Sequence, residues 1–200
     1  LTLDGRLSHP AWQRAPVYSQ FVEKFPDTGA APHQATRVRV LFDAQALYVG
    51  VEALDNAPGQ IRAPWVRYDG VNRTQDFVVV YIDAIGLRHS AQFFRVNAAG
   101  SLSDGMHTAA DDSEDFSPDF DFDAATSRQP TGWTAVLRIP FASLRFAEPA
   151  AGAASSAQPW RILVGRRVPR EQFYMHTSAL VPREASSFID TLQPLQGVRL

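Results

Sequence analysis

Residues 36–53 alternate apolar and polar side chains with a period of two. Only extended backbone sends successive side chains to opposite faces in that way. Val38, Val40 and Phe42 share one face, with Arg37 and Arg39 on the other. Asp43-Ala44-Gln45 turns the chain, and residues 46–53 return with Leu47, Val49 and Val51 on the inward face. The two runs are an antiparallel hairpin. A lone hairpin is marginal in water, so it needs further strands and a second layer to bury its apolar face.

Further strands follow. Residues 75–83 are apolar on both faces and read as a central strand, paired with 89–97 across a short connection. Residues 119–126 alternate Asp and Phe, and 132–139 set Trp133, Ala135, Leu137 and Ile139 on one side until Pro140 ends the ladder. A late strand covers 160–168, and Phe141–Leu144 forms at most one helical turn. Residues 147–159, rich in Ala, Ser, Pro and Gly, read as a surface loop. Many short strands separated by turn residues, with little helix, predict an all-β, two-sheet antiparallel β-sandwich. Trp12, Trp133 and Trp160 lie in strand or entry motifs and are expected in its core.

The 200 residues suffice for a single domain over 1–200. A net charge of −2 offers no basic field for nucleic acid. The absence of Cys excludes disulfides, zinc-thiolate sites and Cys nucleophiles. No apolar run nears the ~20 residues of a membrane-spanning helix, so membrane insertion by this domain is not expected. The start at Leu1 and the abrupt end suggest a segment of a longer protein. No G-x-S-x-G motif occurs. The five His are scattered with no H-x-x-x-H pair, so no zinc site is expected.

Several short motifs recur in a telling order: Asp4-Gly5-Arg6-Leu7 then Pro10-Ala11-Trp12, Leu47-Tyr48-Val49, Asp76-Phe77, Asn97-x-x-Gly100 with Asp104-Gly105, and Gly132-Trp133 leading to Ile139-Pro140-Phe141. Together they resemble domains similar to carbohydrate-binding module family 9. The nearest likeness is to the version at the front of large bacterial proteins, between a signal peptide and an outer-membrane barrel. The resemblance implies a jelly-roll-like sandwich, an extracytoplasmic location (periplasm or cell surface of a Gram-negative bacterium) and a C-terminal barrel domain in the parent chain. It also implies a glycan clamped between aromatic rings, with calcium in a structural role. Two positions depart from the pattern: Phe120-Asp121 stands where the family often has Trp-Asp, and Val136 where it often has Glu.

Candidate site residues follow from side-chain chemistry. Sugar rings stack on aromatic faces, and their hydroxyls need planar polar partners. Trp65, in a segment without strand periodicity beside Tyr68, is the candidate platform. Phe173 and Tyr174 are the opposing wall, and Arg95 and Asn97 the hydroxyl contacts; ordinary packing is the competing reading for each. Asp55, Asp69, Asp76 and Asp104 could converge on a calcium ion at one end of the sandwich, or simply cap turns. Eight carboxylates between Asp104 and Asp123, with no Lys or Arg among them, read foremost as a charged edge that resists aggregation, with a calcium loop at Asp111, Ser113 and Asp115 as the alternative. Arg161, Arg166, Arg167 and Arg170 form a basic stretch, with Arg166 and Arg167 on opposite strand faces. That stretch suits an anionic glycan or partner domain, or salt bridges to the acidic run. The expected function is a non-catalytic carbohydrate-binding module. A structural or interaction domain ahead of a barrel is the alternative, and a glycoside-hydrolase activity based on paired carboxylates is the third.

Overall fold

The computed structural model describes residues 1–146 and 159–197; the expected loop at 147–159 falls almost wholly outside them. Two antiparallel sheets make up the fold. The smaller has the order β2 (Thr36–Phe42), β3 (Ala46–Leu54), β9 (Gly132–Pro140), β8 (Asp123–Gln129). The larger runs β1 (Val22–Phe25), β11 (Tyr174–Thr177), β10 (Arg161–Val168), β4 (Phe77–Asp83), β5 (Ser90–Asn97), β6 (Leu102–Thr108), β7 (Ser113–Asp115), and β12 (Gln193–Pro194) also pairs with β10. The sandwich expected from the alternation is the observed architecture.

Between the sheets, Leu47, Val49 and Val51 of β3 and Trp133, Ala135, Leu137 and Ile139 of β9 meet Val78, Val80 and Ile82 of β4. The other face of β4 carries Phe77, Val79 and Tyr81, and it is buried too. Val71 from residues 61–76, and Val181, Phe188, Ile189 and Leu192 near the C-terminus, cover it. That double cover is why β4 reads as apolar throughout. A third cluster seals the outer face of the smaller sheet, where Trp12 of the short helix α1 (Pro10–Arg14) packs on Ala46, Tyr48 and Val136. Val136 is fully buried there, so a carboxylate at this position would lie in an apolar layer. Gly132, which opens the Gly-Trp strand, has φ +141°, and a β-carbon on it would fall 2.1 Å from the Ala53 carbonyl oxygen. Only glycine fits that crossing.

The Asp/Phe alternation at 119–126 enters a ladder only at Asp123. Ahead of it the chain has no strand partner, and the Phe120 N–H is taken by the Asp104 carboxylate instead. Its side chains still divide as expected: Asp119, Asp121 and Asp123 are exposed, while Phe120 and Phe122 pack on Phe94.

Candidate functional site

A cavity of about 790 Å³ opens on the outer face of the larger sheet. Its floor is made by Phe77 and Tyr81 of β4, Arg95 of β5, Arg167 of β10 and Met175 of β11. Phe25, Phe116 and Phe173 stand around it, with Lys24, Asp69, Asn72 and Arg73 also lining it. A smaller cavity of about 570 Å³ lies over the other sheet, among Arg6, Arg37, Arg39, Glu52 and Arg128, and its one aromatic, Trp133, is buried. Aromatic walls with a few convergent polar groups mark the larger cavity as the better ligand site.

Its polar centre is Arg95. The guanidinium donates through Nη2 to both oxygens of Glu114, at 2.7 and 2.9 Å. It also sits 4.7, 5.2 and 5.6 Å from the ring centres of Phe77, Phe93 and Phe116. The Tyr81 hydroxyl donates to Glu114 at 2.7 Å. Burial would raise the Glu114 carboxyl, but Arg95 and Tyr81 outweigh it and hold the group below its ordinary value. Arg167 donates to the Phe173 carbonyl at 2.5 Å, and its buried Nε has no partner among the described residues. Burial, then the charges of Arg95 and Arg73, lower its pKa. Four cationic side chains thus line the cavity against two carboxylates, in a chain whose net charge is −2.

Two lining residues have left-handed backbone, Asp69 at φ +61° and Phe173 at φ +54°. For a bulky residue such as Phe this costs on the order of 1 kcal/mol or more, and strain of that kind clusters at ligand sites. Arg170 holds the turn before Phe173 through its bonds to Asp55.

Of the six residues expected to contact a glycan, Arg95 and Phe173 line this cavity. Trp65 is 78% exposed on its loop, outside the lining set, with the indole close over Gly100. Tyr68 donates its hydroxyl to Asp104 at 2.6 Å. Asn97 is fully buried and engaged internally: its amide nitrogen donates to Pro64 O and Gln75 Oε1, and its oxygen accepts from the Ala99 and Ser101 N–H groups. Tyr174 is buried and stacks on His33 at 3.8 Å between ring centres.

The four carboxylates expected around a metal divide into two pairs. Asp69 and Asp104 come together with Asp119, one oxygen of each lying within 4.8 Å of the others. Asp104 is fully buried, and its N–H donates to Asp69 at 3.2 Å. Burial raises the Asp104 carboxyl, against the hydrogen bonds from Tyr68 and Phe120. Asp55 and Asp76 instead face the buried guanidinium groups of Arg166 and Arg170.

Asp76 titrates in a useful window. Burial pushes its carboxyl from 3.8 up to about 6, against the Arg62 N–H bond and the Arg166 charge. The folded state therefore binds this proton more tightly than the unfolded chain. Its stabilising contribution is complete below about pH 4 and is lost as pH rises through 6. Asp76→Asn is expected to gain on wild type over that window by an amount on the order of 3 kcal/mol. Urea unfolding of both proteins at pH 4, 5, 6 and 7 measures it, and a constant difference would refute it.

Lys24, Tyr81, Glu114 and Arg167 complete the cavity but were not among the expected site residues. Arg167 gave a signal only as a charge alternating with Arg166 on a strand, and Glu114 only as one member of the acidic run. Arg166 and Arg170 pair with Asp55 rather than with the acidic run.

No protein-family profile matches the chain, and no curated protein matches it in sequence. Solved structures do match in fold. A "putative carbohydrate-binding protein" of Bacteroides uniformis aligns with TM-score 0.69 and 12% identity over 94% of this chain and 89% of its own. A family 9 carbohydrate-binding module of Caldicellulosiruptor kristjanssonii, solved with cellotriose, aligns with TM-score 0.60 and 15% identity over 88% of this chain and 77% of its own. A module of the same family from that organism, solved with glucose, gives 0.59 and 14% over 90% and 81%. The chain therefore has the fold of the family 9 carbohydrate-binding modules.

Proposed function

We propose that this chain is a non-catalytic carbohydrate-binding module that takes its glycan in the cavity above β4, β5 and β10. The observation that carries this reading is the aromatic enclosure of the Arg95–Glu114 pair. The rings of Phe25, Phe116 and Phe173 suit the C–H faces of a sugar, while Arg95, Glu114 and Arg167 suit its hydroxyls. The structural neighbours solved with cellotriose and glucose support the same class of ligand. The cationic excess favours a glycan bearing carboxylates, such as a uronate oligomer, over a neutral one.

Calorimetric titration with neutral gluco-oligosaccharides and uronate oligomers tests the proposal. Binding is expected, tighter for the uronates at low salt. Phe173→Ala is expected to weaken it about tenfold, from the ~1 kcal/mol or more of a lost ring contact. Trp65→Ala measures whether the exposed indole extends the site. Silence across both panels would overturn the reading.

The calcium that the resemblance implies suits Asp69, Asp104 and Asp119, since hard carboxylate oxygens are what calcium takes. Bound there, it would tie residues 61–76 to β6. Calcium is expected to raise Tm in wild type and not in Asp119→Asn; equal shifts in both would place calcium elsewhere. The proposal includes an extracytoplasmic location and a parent chain that continues into an outer-membrane barrel, which the complete gene would reveal.

A further inference from the structure

We infer that Glu23, His33 and His176 form a binding site for a divalent transition-metal ion, best matched by zinc. The site lies on β1 and β11 and draws on neither the aspartates above nor the glycan reading. Glu23 and His176 are cross-strand partners in the β1–β11 ladder, so their side chains emerge on one face. The loop after β1 folds back, with the Glu23 N–H donating to Ala30 O at 2.9 Å, and delivers His33. His33 Nδ1 then lies 2.8 Å from Glu23 Oε2. A ligand atom from each of the three residues falls within 4.8 Å of the other two.

His176 makes this more than a surface ion pair. It is fully buried, yet neither ring nitrogen has a hydrogen-bond partner among the described residues. An orphaned polar group in such a place is destabilising, because its lost hydration goes uncompensated. A metal bond satisfies it with the lone pair of a neutral imidazole. Arg166 would oppose any cation here, but it faces Asp55 at 3.5 Å and also donates to the Ala35 carbonyl at 2.9 Å.

The surroundings orient the ligands. Glu23 Oε1 accepts the Asp27 N–H at 2.8 Å, leaving Oε2 for the ion. Tyr174 stacks on the His33 ring. Two nitrogens and one carboxylate oxygen suit zinc and its neighbours, whereas calcium requires 6–8 oxygens. Bonds of about 2.0–2.1 Å in a tetrahedron place ligand atoms about 3.3 Å apart. His33, 49% exposed, can open its 2.8 Å contact by a small side-chain rotation. Its exposure also gives the ion an entry path and leaves the fourth position to water. Sequence spacing hid the site because its three ligands come from separate segments.

The test uses the whole chain freed of metal by chelator dialysis. Zinc is titrated against a competing chromophoric chelator, and cobalt absorption reports the geometry. One equivalent of zinc is expected, with intense cobalt bands of a tetrahedral site and no competition from calcium. His33→Ala changes an exposed ring and leaves the core intact. It is expected to weaken zinc by more than the roughly 10- to 100-fold that a supporting partner alone accounts for. His176→Gln is expected to abolish binding. Should that variant not fold, His33→Ala and Glu23→Gln decide. No binding by wild type, or wild-type affinity in His33→Ala, overturns the proposal.

Discussion

Asp55→Ala is expected to destabilise the fold by about 3–5 kcal/mol, the cost of removing one member of a buried ion pair. The Asp55 and Arg166 side chains are fully buried, and that of Arg170 nearly so. Arg170 grips the carboxylate through both nitrogens, at 2.9 and 2.7 Å, and Arg166 lies at 3.5 Å. Without Asp55, two guanidinium groups face each other in the interior, with the Asp76 carboxyl as the remaining counter-charge. The cluster joins the end of β3 to β10 and to the turn that presents Phe173. Glycan affinity is therefore expected to fall with stability, although Asp55 does not line the cavity. Urea denaturation with a parallel binding titration measures both. A loss under about 1 kcal/mol would show that water replaces the carboxylate and that the cluster is not dry.

The fold was legible because burial imposes period-two patterns. Thr36–Phe42 and the return strand from Ala46 form the expected hairpin, although Trp12 buries the outer face of β3 as well, and the apolar run on β4 marked a strand covered on both faces. β1, β6 and β11 were not legible. Their sequences, Val-Glu-Lys-Phe, Leu-Ser-Asp-Gly-Met-His-Thr and Tyr-Met-His-Thr, bury polar side chains that break the apolar alternation. Glu23, Ser103, Asp104 and His176 are all buried against the usual preference of their types. That is the same physics that hid the site. Arg95 is a candidate from its residue type alone, whereas Glu114 reads as one more member of an acidic run. Only the β6–β7 pairing brings it over the Arg95 guanidinium. The aspartates illustrate the converse. Residue type suggested one metal cluster, but Asp55 and Asp76 belong with arginines far along the chain, 111 and 115 positions from Asp55, a pairing that no local spacing encodes.

Glu114→Ala is expected to lose about 2–4 kcal/mol of stability and nearly all glycan binding, and the two losses have one origin. Arg95 is almost wholly buried, and Glu114 is its only ion-pair partner among the described residues. The pair is partly open to the cavity, since the Glu114 side chain keeps 26% of its exposure, so water softens the penalty below that at Asp55. Tyr81 loses its hydroxyl acceptor in the same step. The guanidinium is left among the rings of Phe77, Phe93 and Phe116, and those contacts restore only part of what the carboxylate supplied. Arg95 is then free to swing toward solvent and break the floor on which a sugar would rest. Phe173→Ala makes the contrast: the residue is 41% exposed, so affinity should fall while stability scarcely moves. Denaturation curves and titrations of the two variants separate floor from wall. If Glu114→Ala unfolds like wild type and binds like wild type, the Arg95–Glu114 pair is not the centre of the site and the ligand must rest elsewhere, with the exposed Trp65 loop the next surface to test.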